Sequence, residues 1–241
     1  MVNWAQTYDC HGDVDRVPGL LALVEREDDA EAWIELEHRL VLEHDLLSPA
    51  SLAALPRLVR LAARSTTARH LAGAIVERAA SHHEGDELMA GNAEVIVELG
   101  ALLDRHLRSR PADYLLTFRA LLAVHEQYHW ANALGNFDDD FYELPCPHCA
   151  AEVTIAIGSY GRYAAIRDWD LGDTDRRDLR PSPAEQLSGV GLWMYDIAVR
   201  DEQEALAEGI CHLFGKAECP RCASVFTLAD EYAAANCPVL R

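Results

Sequence analysis

The chain has 241 residues, half of them apolar, and a formal net charge of −19 at pH 7. This length is sufficient for one large or two small globular domains with a sizeable core. So negative a surface disfavours binding to nucleic acid, because non-specific affinity for a phosphate backbone comes mainly from lysine and arginine. The charge is explained by solubility or, in the alternative interpretation, by an acidic face that attracts a basic protein partner.

The beginning of the sequence predicts a cytoplasmic location. Residues 1–6 have neither a basic patch nor an apolar run, so no secretory signal is expected. No segment approaches the length of a membrane span, and we expect no contact with a membrane. Thiols stay reduced in the cytoplasm, which favours metal binding over disulfide formation for closely spaced cysteines.

The first half of the chain is predicted to be helical. From Asp15 to Leu134, apolar residues recur at the spacing of amphipathic helices, which predicts about six consecutive helices without a strand. One of them should begin at Ser48 and Pro49, a capping serine followed by a first-turn proline. Consecutive helices with short connections bury such stripes by packing as antiparallel pairs.

A helix stop signal and an acidic segment predict the domain boundary. Gly135 and Asn136 end the last helix of the first half, and the three aspartates at 138–140 form a predicted linker. We therefore assign residues 1–137 to a helical domain and residues 138–241 to a second domain.

Two matching cysteine pairs form the most specific motif. Cys146 and Cys149 enclose Pro-His, and Cys219 and Cys222 enclose Pro-Arg. Two such turns facing each other place four thiolates at the corners of a tetrahedron, the arrangement of a structural zinc site. A closed site of this kind leaves no coordination position for a substrate, so it stabilises a fold. Redox dithiols and disulfides are the alternative interpretations.

The apolar pattern changes from helical to alternating after Cys149. Residues 152–157 alternate between apolar side chains and small or polar ones, which predicts the first strand of a hairpin. Residues 163–166 supply the second strand. Residues 224–228 predict a third strand that completes a small zinc-stapled sheet.

The long segment between the cysteine pairs exceeds what a simple ribbon needs. Its residues 176–183 are predicted to be an irregular loop of mixed charge. A helical hairpin is predicted at about 183–214, and its second helix carries a capping-box pattern from Asp201 to Glu204.

Several segments resemble a group of poorly characterised actinobacterial proteins. Residues 44–56, HDLLSPASLAALP, are similar to their N-terminal HEAT-like segment. Residues 146–149 (CPHC), 158–161 (GSYG) and 213–220 (LFGKAECP) are similar to their zinc-ribbon half. The resemblance implies a mainly α protein, in which HEAT-like stacked helical hairpins precede a small zinc-ribbon β-sheet with a helical-hairpin insertion. Such helical repeats are common in adaptor and toxin-immunity proteins, so the resemblance also implies protein binding, and it implies no catalytic residues.

A second motif favours an enzyme. The sequence HEQYH from His125 to His129 matches the pattern in which two histidines one helical turn apart share a zinc ion, while Glu126 deprotonates a bound water molecule. A third ligand would have to come from Glu143, Glu152 or a distant histidine. The alternative is that both histidines pack at a helix interface with their ring nitrogens bonded to neighbours.

The sequence supports three hypotheses about function. The favoured one is a non-enzymatic, zinc-stabilised protein-interaction module, an adaptor or immunity-like protein that binds a basic protein. The second is a zinc metallohydrolase built on the HEQYH motif. The third is a nucleic-acid-binding zinc ribbon that uses a stripe of arginines. These arginines are Arg162, Arg167, Arg176, Arg177 and Arg180.

Overall fold

The computed structural model describes residue 4 and residues 7–13, 15–41, 47–81, 89–137 and 141–236. The chain divides into two compact units, Met1–Ala131 and Asn132–Arg241. The predicted linker at 138–140 lies outside the described residues, so the predicted boundary after residue 137 stays a prediction. The first three residues of the segment 44–56 also lie outside the described residues.

Seven helices lie entirely within the described residues of the first 137 positions, where the sequence predicts about six. They are α1 (Arg16–Glu27), α2 (Ala30–Val41), α3 (Pro49–Ala62), α4 (Thr66–Ser81), α5 (Ala93–Leu107), α6 (Tyr114–Val124) and α7 (Tyr128–Gly135). Consecutive helices pack as pairs, α1 with α2, α3 with α4 and α5 with α6, and α4 also packs against α6. Each amphipathic helix thereby buries its apolar face against another.

The stripes that the sequence predicts form the core of the first unit. In α1 the buried residues are Val17, Leu20, Leu21 and Val24. Helix α3 begins where the sequence predicts, because the Ser48 hydroxyl accepts a hydrogen bond from Ser51 N at 3.2 Å and Pro49 occupies the first turn. Such a cap stabilises a helix by about 1 kcal/mol.

The sixth predicted helix is in fact two helices, so the prediction of one helix through the HEQYH motif is wrong. Helix α6 ends before the motif begins, and α7 begins at its fourth residue. The break is a Schellman motif. Glu126 has a left-handed φ of 60°, its N–H donates to Ala123 O at 3.0 Å, and Gln127 N donates to Leu122 O at 2.8 Å. These bonds satisfy the last carbonyl groups of α6 and end it.

The described residues of the second unit contain two antiparallel sheets. The first has the order β1 (Tyr142–Pro145), β2 (Glu152–Gly158), β3 (Gly161–Asp168) and β4 (Gly172–Asp178). The second pairs β5 (Lys216–Glu218) with β6 (Val225–Thr227). The prediction that residues 224–228 complete the first sheet is therefore wrong, because β6 pairs with the short strand that follows the inserted helices.

Strand β4 occupies the first three residues, 176–178, of the irregular loop predicted for residues 176–183. Its sequence, GDTDRRD, has no apolar residue, so it lacks the alternating pattern by which strands are recognised. Backbone pairing with β3 defines the strand. An ion pair also joins the two strands, since Arg167 Nε of β3 lies 3.0 Å from the Asp173 carboxylate of β4.

The segment between the cysteine pairs contains α8 (Gly189–Arg200) and α9 (Glu204–Leu213), within the range where the sequence predicts a helical hairpin. The predicted capping box is wrong. Gln203 is the N-cap of α9 and makes no side-chain cap, while the Asp201 carboxylate accepts two hydrogen bonds from Arg200 at 2.7 Å.

A further helix, α10 (Leu228–Asn236), follows β6 and was not predicted. Of the helices in the described part of the chain, none is both long and apolar enough to cross a membrane.

Candidate metal centre

Each cysteine pair forms the turn of a β-hairpin. Cys146 directly follows β1, and β2 begins three residues after Cys149. In the same way Cys219 directly follows β5, and β6 begins three residues after Cys222. The antiparallel pairing of β1 with β2, and of β5 with β6, therefore fixes both ends of each turn.

The two turns share one backbone conformation. The residue after the second cysteine has a left-handed φ in both, 56° at Ala150 and 57° at Ala223. Its N–H donates to the carbonyl of the first cysteine, at 2.9 Å in the first turn and 2.8 Å in the second. The N–H of the first cysteine donates to the carbonyl of the residue two positions beyond the second cysteine, at 2.8 Å and 2.9 Å. The repeated C-P-x-C motif thus forms the same turn conformation at both places.

The four cysteine sulfurs lie within 4.8 Å of one another. Cys146 Sγ is 3.7 Å from Cys222 Sγ, and Cys149 Sγ is 3.8 Å from Cys219 Sγ. Thiolates bound tetrahedrally to zinc at about 2.3 Å have sulfur atoms about 3.8 Å apart, whereas disulfide sulfurs are about 2.05 Å apart. The four free cysteines therefore fit around one tetrahedral metal ion.

The four cysteine sulfurs differ in burial and in hydrogen bonding. Cys146 and Cys219 are buried, while Cys149 and Cys222 are exposed. Burial raises the pKa of the Cys219 thiol to about 12. Hydrogen bonds from the hydroxyl and the backbone of Ser224 lower the pKa of Cys222 to about 6. A bound cation compensates for the burial of Cys219, because coordination removes the proton from a thiol.

Ser224 is a residue of the site that the sequence analysis missed. It carries no metal-binding group of its own, and its contact with Cys222 depends on the left-handed turn before it. Nothing in the residue types alone indicates this contact.

The HEQYH residues do not adopt the arrangement that the motif requires. His125 caps the C-terminus of α6 and is exposed, while His129 lies in the next helix and is half-buried. Glu126 is exposed in the left-handed link between the helices. Glu143 and Glu152, the suggested third ligands, lie on strands of the second unit. Across the described residues, only the four cysteines form a group of three or more side chains able to hold a metal ion.

Comparisons with known proteins do not assign a family. No protein-family model matches the chain, and neither a search of curated proteins nor a search of solved structures found a significant match.

The five arginines of the predicted nucleic-acid stripe all form ion pairs. The pairs are Arg162 with Glu208, Arg167 and Arg176 with Asp173, Arg177 with Asp175, and Arg180 with Glu218. Four carboxylates thus offset most of the positive charge of the stripe. Affinity for phosphate comes from cations that displace counterions, so this arrangement disfavours nucleic-acid binding.

A polar cluster in the first unit was also missed by the sequence analysis. Asp113 accepts hydrogen bonds from His70 and from Thr117 Oγ1. His106 Nε2 lies 3.8 Å from the same carboxylate. Its members are far apart in the sequence, so no motif marks the cluster. Asp113 therefore ties α4 to the beginning of α6.

Two histidines give the first unit a predicted pH dependence. Burial lowers the pKa of both His106 and His129 below their ordinary value near 6.5. The unfolded chain therefore binds more protons than the folded chain as the pH falls through about 6.5, and the free energy of unfolding decreases.

We expect His129→Gln to reduce the difference between the unfolding free energies at pH 7.5 and pH 5, measured by urea titration. His38→Gln is the matched control, because His38 is exposed, and it should keep the wild-type difference. An unchanged difference in His129→Gln would show that His129 does not contribute to the pH dependence of the unfolding free energy.

Proposed function

We propose that the chain is a non-enzymatic, zinc-stabilised protein-interaction module, an adaptor or immunity-like protein whose partner is a basic protein. The observation that carries the proposal is the group of four cysteine sulfurs at tetrahedral spacing. Four thiolates complete the coordination of zinc and leave no position for a substrate or a reactive water molecule. The metal then stabilises the fold and takes no part in a reaction.

The identity of the metal as zinc is part of this proposal. Thiolate ligands in a tetrahedral arrangement favour zinc among the available divalent cations, and zinc lacks redox chemistry of its own. The hairpin β5–β6 has only three residues in each strand. A two-stranded hairpin this short is barely stable alone, whereas a structural zinc ion supplies about 10–16 kcal/mol of binding free energy.

The role in protein binding is supported by charge and by helix packing. A net charge of −19 attracts basic partners and repels phosphate backbones. Paired helices like those of the first unit form surfaces with grooves in helical-repeat proteins. The HEAT-like assignment of residues 1–137 and the kinship with actinobacterial proteins belong to this proposal.

Metal counting separates the module from the hydrolase. We expect one zinc ion per chain in the purified protein, measured by inductively coupled plasma mass spectrometry. The double variant His125→Ala/His129→Ala should also contain one. Two zinc ions in the wild type and one in the variant would favour the metallohydrolase and contradict the proposal.

The partner is tested by affinity capture with tagged protein from its source cells. A basic protein should be enriched reproducibly over a tag-only control. Recovery of no protein above that background would count against the interaction module even if the zinc count is correct.

A further inference from the structure

The second unit contains a cleft of about 650 Å³ beside the second cysteine turn. It is bordered by the first sheet and by Arg221, which lies between Cys219 and Cys222. Its wall includes Trp169, a residue that is 69% exposed. Tryptophan is highly buried on average and is enriched among the residues that dominate binding energy at interfaces.

The Trp169 ring is held in a fixed position. It lies in the tight turn between β3 and β4, where Leu171 N donates to Asp168 O at 3.1 Å and Asp170 N donates to the Asp168 carboxylate at 3.0 Å. The Arg167 guanidinium stacks against the indole at 4.3 Å. One face of the indole is therefore used within the chain, and the exposure of the residue leaves the other face open to solvent.

Arg167 is itself held from two other directions. Its guanidinium lies 4.1 Å from the centre of the Phe141 ring. Its Nε is 3.0 Å from the Asp173 carboxylate, an ion pair whose angle lies outside hydrogen-bond geometry. Because these contacts fix Arg167, the indole that rests on it is pre-organised for a ligand.

Two acidic side chains of the cleft have no partner among the described residues. Glu143 and Glu152 are exposed, lie on the neighbouring strands β1 and β2, and form no ion pair or hydrogen bond there. In contrast, Asp175 in the same cleft is paired with Arg177. The only unpaired cation that borders the cleft in the described part of the chain is Arg221.

We propose that this cleft binds an arginine side chain from an exposed basic segment of the partner protein, which specifies the partner of the proposed function and rests on it. The guanidinium stacks on the open face of Trp169, and Glu143 and Glu152 accept its hydrogen bonds. The chain already stacks guanidinium groups on aromatic rings, as Arg167 does on Trp169 and Arg176 does on Tyr163 at 4.3 Å. A planar guanidinium suits both stacking and paired carboxylates better than an ammonium group does.

The test is the binding of fluorescein-labelled hexa-arginine to the zinc-loaded full chain, followed by fluorescence anisotropy. Trp169→Ala and Glu143→Gln/Glu152→Gln should each weaken binding about tenfold. Trp169→Phe, which keeps an aromatic ring, should retain most of the affinity. Arg221→Gln should strengthen binding, because it removes a like charge, whereas for an anionic ligand it would weaken it.

A matched control separates this cleft from general attraction to an acidic protein. Glu94→Gln/Glu98→Gln removes the same charge from exposed positions of α5 and should change the affinity less than twofold. Equal losses in both double variants, or an unchanged affinity in Trp169→Ala, would overturn the proposal. If Trp169→Ala captures the partner as well as the wild type does, the interaction module stands and only the cleft is wrong.

Discussion

Cys219→Ser is expected to unfold the second unit, Asn132–Arg241, while the first unit stays folded. Serine does not supply a thiolate ligand at neutral pH, and Cys219 is one of the two buried cysteines of the group. Loss of metal removes a binding free energy of about 10–16 kcal/mol, which is comparable to the whole stability of a small domain. Limited trypsin digestion measures the effect, because Arg176 and Arg177 lie in β4 and become accessible when the sheet opens.

Cys211→Ser is the control for this prediction. Cys211 is a free cysteine in α9, half-buried and outside the group of four. Its replacement should leave the digestion pattern unchanged, and wild-type protein treated with a chelator should digest like Cys219→Ser. A Cys219→Ser variant that resists trypsin like the wild type would show that the metal does not stabilise the second unit.

Gly215→Ala is expected to destabilise the same unit by about 3 kcal/mol through overpacking. A Cβ atom at this position would clash with Arg180 O and lie 3.0 Å from the Cα of Pro181. Both are backbone atoms, so no side-chain rotation relieves the contact. Arg180 and Lys216 exchange two backbone hydrogen bonds at 2.9 and 2.8 Å, and the added methyl group forces this bridge apart next to β5.

Gly19→Ala is the matched control in a site without such contacts. A Cβ at Gly19, the fourth residue of α1, would meet no atom within 4 Å. The change should stabilise the protein by about 0.5–1 kcal/mol, because alanine is a better helix former than glycine. Urea unfolding measures both variants, and a Gly215→Ala variant as stable as the wild type would contradict the packing at Arg180.

Elements with a strong local signal were predictable from the sequence. The helix stripes, the start of α3 and the pairing of cysteines each depend on residue types at short, regular spacing. The two C-P-x-C turns are 70 to 76 residues apart along the chain, yet the metal requires all four sulfurs, so the motif itself predicts their proximity. The structure brings them together as that chemistry demands.

Elements defined by distant partners were not predictable. Strand β4 has no apolar residue and exists because β3 offers it a backbone ladder. The β6 strand was assigned to the wrong sheet because three residues carry no information about register. The break in the HEQYH motif depends on a left-handed Glu126, a conformation that glutamate seldom adopts and that no sequence pattern here indicates.

The capping-box error has a similar cause. Asp201 and Glu204 have the spacing of a box, but Asp201 is the C-cap of α8 and Glu204 is the first residue of α9. A capping box needs its two residues at the N-cap and the third helical position. The spacing alone does not show at which residue the helix begins.

X-ray absorption at the zinc edge of the purified protein tests the central claim most directly, because it reports both the metal and its ligands. We predict four sulfur atoms at about 2.3 Å and no nitrogen or oxygen ligand. The spectrum should be identical in the His125→Ala/His129→Ala variant. A protein without zinc, or a zinc ion bound by nitrogen and oxygen atoms, would contradict the account.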